Sequence, residues 1–199
     1  LELKGWDPFN VTEDCDLGIR IFKSRYSTRV LDTTTWEEAN SVLANWLKQR
    51  SRWVKGYIQT YFVNMRRPVN FIKNTGIINF FHFNIIVGGN FFVLCFNPIA
   101  WLMIIVWFLT PDKFLMPDRF LLVSTLVLLA GNLFFVLINV WGVLKRKWYK
   151  LVFISLLSPA YWFLMSMGAW KGFFQYLRNP HFWEKTEHAL FKNYYSQNS

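Results

Sequence analysis

Two short strings concentrate residue types able to do chemistry. The first, NVTEDCDLGIR from Asn10 to Arg20, puts Glu13, Asp14 and Asp16 within four positions of a chain whose formal net charge is +10. Like charges repel, so such a cluster needs either solvent or a task. An ionised carboxylate touching a hydroxyl can take its proton and make the oxygen a nucleophile. The same acids also suit a solvated turn or a helix cap. The second string, QRSRW from Gln49 to Trp53, offers an amide, a guanidinium and an indole. On a helix Gln49, Arg52 and Trp53 fall at i, i+3 and i+4 and share a face. A guanidinium grips a diphosphate as a bidentate fork and keeps its charge at any working pH. An indole offers a π surface to the C–H face of a sugar ring. Alternatively, Trp53 anchors the helix at a lipid interface and the arginines, Arg50 among them, meet lipid phosphates.

The elements that must position these strings follow from pattern. Residues 1–35 are mixed and polar, with turn formers at Gly5, Asp7, Pro8, Asn10 and Gly18, and TRVLDTT reads as a short strand ending in a turn. Thr35 with Glu38 forms a capping box that opens a helix. Apolar residues then recur with helical rhythm from Ala39 to Tyr61, and Lys48, Arg50, Arg52 and Lys55 lie between them. A basic amphipathic helix beside membrane spans is expected to lie in the interface with its apolar side in lipid, and Pro68 ends or turns it.

Three apolar blocks follow. Ile77 to Leu109 exceeds what the ~30 Å bilayer core requires, so it reads as a lead-in plus one span or as two helices, with Gly88-Gly89 and Asn97-Pro98 as breaks. Phe120 to Leu144 is a clean span. Leu151 to Trp170, interrupted by Pro159, is a third span or a re-entrant helix. Hydrophobic residues make up 53% and aromatics 20% of the 199 residues, concentrated from residue 77 onward, which excludes an ordinary soluble domain. The basic surplus meets the anionic cytoplasmic lipid surface. Nucleic acid is not expected as a partner, because no known motif accompanies the cations. Cys15 and Cys95 lack metal-ligand spacing and suggest no disulfide. KRKWYK, Lys145 to Lys150, belongs on the cytoplasmic side. One net crossing by 77–109 then places residues 1–70 there too, while Lys171, Arg178, Lys185 and Lys192 argue for the same side unless the third block crosses. His82 reads as a hydrogen-bonded structural residue. Asn79, Asn84, Asn90, Asn132 and Asn139 either line a polar path or hydrogen-bond between helices.

TED followed 35 positions later by QxxRW resembles the membrane-embedded family-2 glycosyltransferases, the group of cellulose, chitin and hyaluronan synthases. GWDPFNVTEDCDLGIRI, VLDTTTWEEAN and NWLKQRSRWVKGYIQTY look like consecutive blocks of bacterial members, and NPHFWEKTEH looks like their tail segment. Cys15 stands where Ala is common, and Ala189 where Gly is usual. The resemblance implies a mainly α-helical membrane protein: a GT-A-type α/β remnant at 1–35, an amphipathic interfacial helix at 36–70, transmembrane helices at 71–170 and a tail at 171–199. It implies that Asp14 is the general base of an inverting transfer, with Thr12 and Glu13 orienting it. Gln49, Arg52 and Trp53 would hold the donor diphosphate and the acceptor's terminal sugar, with Arg50 at a variable position. The donor would be a nucleotide sugar, a UDP-sugar foremost, the acceptor a glycan, and the setting the cytoplasmic face of the inner (plasma) membrane as a multi-pass protein. Mg2+ or Mn2+ would be held by ligands upstream of residue 1, since DCD at Asp14–Asp16 belongs to the TED string. The opening LELKGWDPF has neither an initiating Met nor a signal peptide, so a longer protein is expected and this piece alone should be inactive. Processive synthesis with export is the leading reading. A single transfer to a lipid carrier, or a non-enzymatic membrane subunit, are the alternatives.

Overall fold

A computed structural model describes residues 3, 5–35, 37, 39–110 and 117–187. Its elements are helices α1 (Glu13–Lys23), α2 (Leu43–Met65), α3 (Pro68–Thr75) and α4 (Ile77–Phe83), a π-helical stretch (Asn84–Gly88), α5 (Gly89–Leu109), α6 (Asp118–Lys145), a 3-10 turn (Tyr149–Leu151), α7 (Val152–Leu156) and α8 (Ser158–Arg178). They divide into two compact units, one from residues 1–93 with 167–199, the other from 94–166.

Among the described residues there is no β-strand, which corrects the expected GT-A-type α/β remnant. Thr28–Thr34 is irregular chain, with Val30 98% and Leu31 79% exposed. A strand is made by its ladder partner, and no described segment pairs with this one. The acidic string becomes a helix instead. Glu13, Asp14 and Asp16 fill the first turn of α1, where the dipole favours negative charge, while Arg20 and Lys23 close its last turn. The capping box at Thr35 does not start a helix: α2 begins at Leu43, and Glu38 lies outside the described residues. Asn45 is instead tied to distant backbone, so tertiary contact overrides the local signal. Pro68 starts α3, where its missing N–H costs nothing.

Helix α2 occupies most of the stretch expected as an interfacial amphipathic helix. It is the hub of the first unit, with Asn45, Ser51, Val54, Lys55, Gly56, Ile58, Gln59, Thr60 and Asn64 all buried. Other elements close over its polar side, so those groups find protein partners in place of water. Below it Phe71, Phe83 and Val87 form an apolar cluster, joined by Ile19, Tyr57, Tyr61, Met65 and Phe80. Two close approaches fix α2 among its neighbours. A Cβ on Gly56 would lie 1.2 Å from Thr12 Oγ1, and one on Gly172 of α8 would lie 2.5 Å from the Ser51 carbonyl oxygen.

Ile77–Leu109 and Arg119–Lys145 are long and apolar enough to cross a membrane. Tyr149–Leu156 and Ser158–Arg178 meet at a bend of 58°, a broken span or a re-entrant loop. Pro98 sits inside α5 without ending it, whereas the backbone does change beside Gly88-Gly89, where the π-helical stretch lies. His82 is exposed on α4. The amides mostly serve packing. Asn84 accepts from Tyr61 Oη at 3.0 Å, Asn97 donates to Asn132 at 3.4 Å, and Asn139 donates to Ser158 at 3.1 Å. Asn79 of α4 donates to the Thr75 carbonyl at the end of α3, and Asn132 donates back to its own helix at Leu128.

Candidate functional site

The acidic string is laid along α2. Asn10 donates to Thr60 Oγ1 at 3.1 Å, the Val11 N–H donates to Gln59 Oε1 at 3.2 Å, and Lys23 donates to Asn64 Oδ1 at 2.6 Å. Thr12 packs on Gly56, its hydroxyl buried without a hydrogen-bond partner. Burial pushes the Cys15 thiol up, opposed by a hydrogen bond from Thr60. Each acid then has a distinct neighbourhood. Asp16 is buried and paired to Arg20 at 2.8 Å, and Arg20 also donates to the carbonyls of Leu3 and Gly5. Glu13 acts electrostatically on Arg52. Asp14 is exposed, accepts from its neighbour's N–H at Cys15 (2.8 Å) and acts electrostatically on Tyr57. The Tyr57 hydroxyl is pushed up by burial first, then by Cys15 and Asp14.

The basic string occupies the same stretch of α2. Trp53 is 38% exposed and carries the Arg50 guanidinium 4.2 Å above its ring, while Arg50 also lies 5.4 Å from Trp46. Arg50 Nε is buried without a partner. Arg52 lies 4.5 Å over Trp183; burial draws its proton affinity down and Glu13 opposes this. Gln49 is half-buried one turn earlier. Trp53 and Tyr57 stand at i and i+4, with Cβ atoms ~5–6 Å apart. The fold thus gathers Thr12, Glu13 and Asp14 against the segment that carries Arg50, Arg52 and Trp53.

The third component is the tail string NPHFWEKTEH, whose described part, Asn179–Glu187, is irregular and straps across α2, a contact the sequence did not show. The Asn45 side chain exchanges two hydrogen bonds with the Glu187 backbone, at 2.8 and 3.0 Å. Lys55, 1% exposed, donates to the carbonyls of Asn179 and Phe182 at 2.7 and 2.8 Å, and Gln59 donates to Pro180 at 2.9 Å. Glu184 accepts from Lys171 at 2.8 Å, Gln175 at 2.9 Å and Ser51 at 3.4 Å. Burial pushes the Glu184 carboxyl up, yet these donors outweigh it and leave it below its ordinary value. One signal was available: Ser51, Lys55 and Gln59, four residues apart, form a polar stripe on α2. Read alone, such a stripe is a solvated face. His188 and Ala189 of the tail string lie outside the described residues.

The implied Mg2+ or Mn2+ does not fit the acids present. Among the described residues no group of three His, Cys, Asp or Glu side chains could hold a metal. Asp16 is committed to Arg20, and Glu13 faces the cation of Arg52.

Comparison with known proteins adds two findings. A model of glycosyl transferase family group 2 matches residues 1–174. The chain is 27% identical over 123 residues to the "Probable glycosyltransferase YdaM" of Bacillus subtilis (strain 168), an alignment covering 54% of this chain and 29% of that protein. The chain thus spans less than a third of that relative. No solved structure matches.

Proposed function

The chain belongs to glycosyl transferase family group 2, and on that footing we propose that it carries the acceptor side of an inverting glycosyltransferase using a nucleotide sugar at the inner face of the membrane. Asp14 takes the proton of the acceptor hydroxyl. The freed oxygen attacks the anomeric carbon in line, the bond from that carbon to the diphosphate breaks, and the nucleoside diphosphate leaves with the bonding pair. The configuration at that carbon inverts. Arg52 and Gln49 hold the diphosphate, Arg52 as a charged planar fork. Trp53, with one face under Arg50, offers the other to the acceptor's terminal sugar. Thr12, seated on Gly56, fixes the turn that presents Glu13 and Asp14. The observation that carries this reading is the seam itself: Thr12 packs on Gly56, and Asn10 and Val11 bond to Thr60 and Gln59, so the acidic turn lies against α2 just beyond Trp53.

In the full-length enzyme Asp14→Asn should lower sugar transfer by at least 100-fold, the low end of what a positioned base contributes (~10²–10⁴), with nucleotide-sugar binding retained. Radiolabelled transfer and equilibrium binding on the same preparation test this. Undiminished turnover removes Asp14 from the role of base.

A further inference from the structure

The strap Asn179–Glu187 has no regular secondary structure, yet it is fastened to its neighbours along its length. Its central fastening buries the Lys55 ammonium against two carbonyls, an arrangement worth its desolvation only if the chain there must be held. Lys55 holds the carbonyl of Phe182, and Glu184 is held by Lys171, Gln175 and Ser51. Between these two held residues sits Trp183. It is 47% exposed, so burial in a core does not explain an indole at this position. What it meets is Arg52, whose guanidinium carbon lies 4.5 Å over the ring.

We propose that Trp183, presented by the strap, is the positioning residue for Arg52: the indole fixes the plane of the guanidinium so that its N–H edge stays available to a nucleoside diphosphate. This rests on the reading of Arg52 as a donor ligand. Glu13 attracts the same cation but cannot set its plane, whereas a ring on one face does so and leaves the in-plane donors uncovered. The strap follows both apolar spans in the chain, so a segment distant in sequence completes a group on α2.

The test uses full-length protein in lipid nanodiscs, with calorimetric titration of UDP beside the transfer assay. Trp183→Ala should weaken UDP binding by about 3- to 30-fold, the range of a stacked cation. Trp183→Phe should restore most of the affinity and Trp183→Leu should not. In an Arg52→Lys background, Trp183→Ala should add less than about twofold. The positioning role is overturned if Trp183→Ala leaves UDP affinity unchanged, if Leu substitutes as well as Phe, or if the loss persists undiminished beside Arg52→Lys. Should the Ala variant fail to elute as a folded particle, the Phe and Leu variants carry the comparison. Tight UDP binding with this coupling but no sugar transfer would refute the enzymatic reading and leave the positioning intact. An inactive Asp14→Asn together with a silent Trp183→Ala would do the reverse.

Discussion

Arg52 and Trp53 are neighbours in the chain and face different tasks. The first lies between Glu13 and Trp183, the second under Arg50. Trp53→Ala should therefore raise the KM for acceptor by roughly 3- to 10-fold, the worth of ~0.5–1.5 kcal/mol of aromatic contact, with a smaller change in the KM for donor. A defect confined to the donor would contradict the sugar-platform role. Glu184 supplies a pH dependence. Its carboxyl sits below the ordinary value of 4.5, so its contribution to strap anchorage is fully present above that value. It is lost as pH falls through the lowered value. A spin label at Lys185→Cys should be immobile at neutral pH and become mobile only in that acid window. With Glu184→Gln the window should flatten. Of the proposed site, Asp14, Arg52 and Trp53 could be nominated from sequence because their types and spacing are unusual in a basic, apolar chain. Lys55 and Glu184 were not, since nothing local distinguishes a buried Lys from a solvated one.

At the scale of elements, α2 is held by backbone-close crossings that tolerate no side chain. Gly172→Ala would press a methyl group against the Ser51 carbonyl oxygen, a backbone atom that cannot rotate away. Gly56→Ala would collide with Thr12, the residue that opens α1. Each should cost about 1–3 kcal/mol through overpacking, read as a lowered Tm in detergent. They should differ in activity: Gly56→Ala displaces the acidic turn and should impair transfer beyond its effect on stability. Equal ratios of activity to folded protein in the two variants would argue against a special role for the α1–α2 seam. Helix α1 was not expected over this turn-rich stretch, although its acids first and bases last suit the helix dipole, and the strand expected at Thr28–Thr34 could not be judged from sequence, because strand formation is a property of a pair.

For the whole molecule, the strap decides topology. Residues 179–187 bond to α2, which precedes both spans, so the chain before Ile77 and the chain after Arg178 lie on one side. If both candidate spans cross, they return the chain to its starting side, and a bent pair Tyr149–Arg178 that turns back without crossing keeps the strap there. The positive-inside rule predicts the basic run Lys145–Lys150 on that same side. In a Cys15→Ala, Cys95→Ala background, Ser24→Cys and Lys185→Cys should react with an impermeant thiol reagent from the same face of sealed vesicles, and Pro117→Cys from the opposite face. Labelling of Lys185→Cys together with Pro117→Cys would show that the bent pair crosses.

The sequence by itself determined what depends on neighbours in the chain. The helical rhythm of α2, the two apolar spans and the chemical kit of the two strings are all set by composition and period. Tertiary structure alone decided which side of α2 is buried, that the C-terminal strap closes over it, and that the acidic turn lies along the two turns bearing Arg52 and Trp53. Those outcomes rest on contacts between residues about 40 to 140 positions apart. A partner so distant leaves no periodic trace in the segment it will cover.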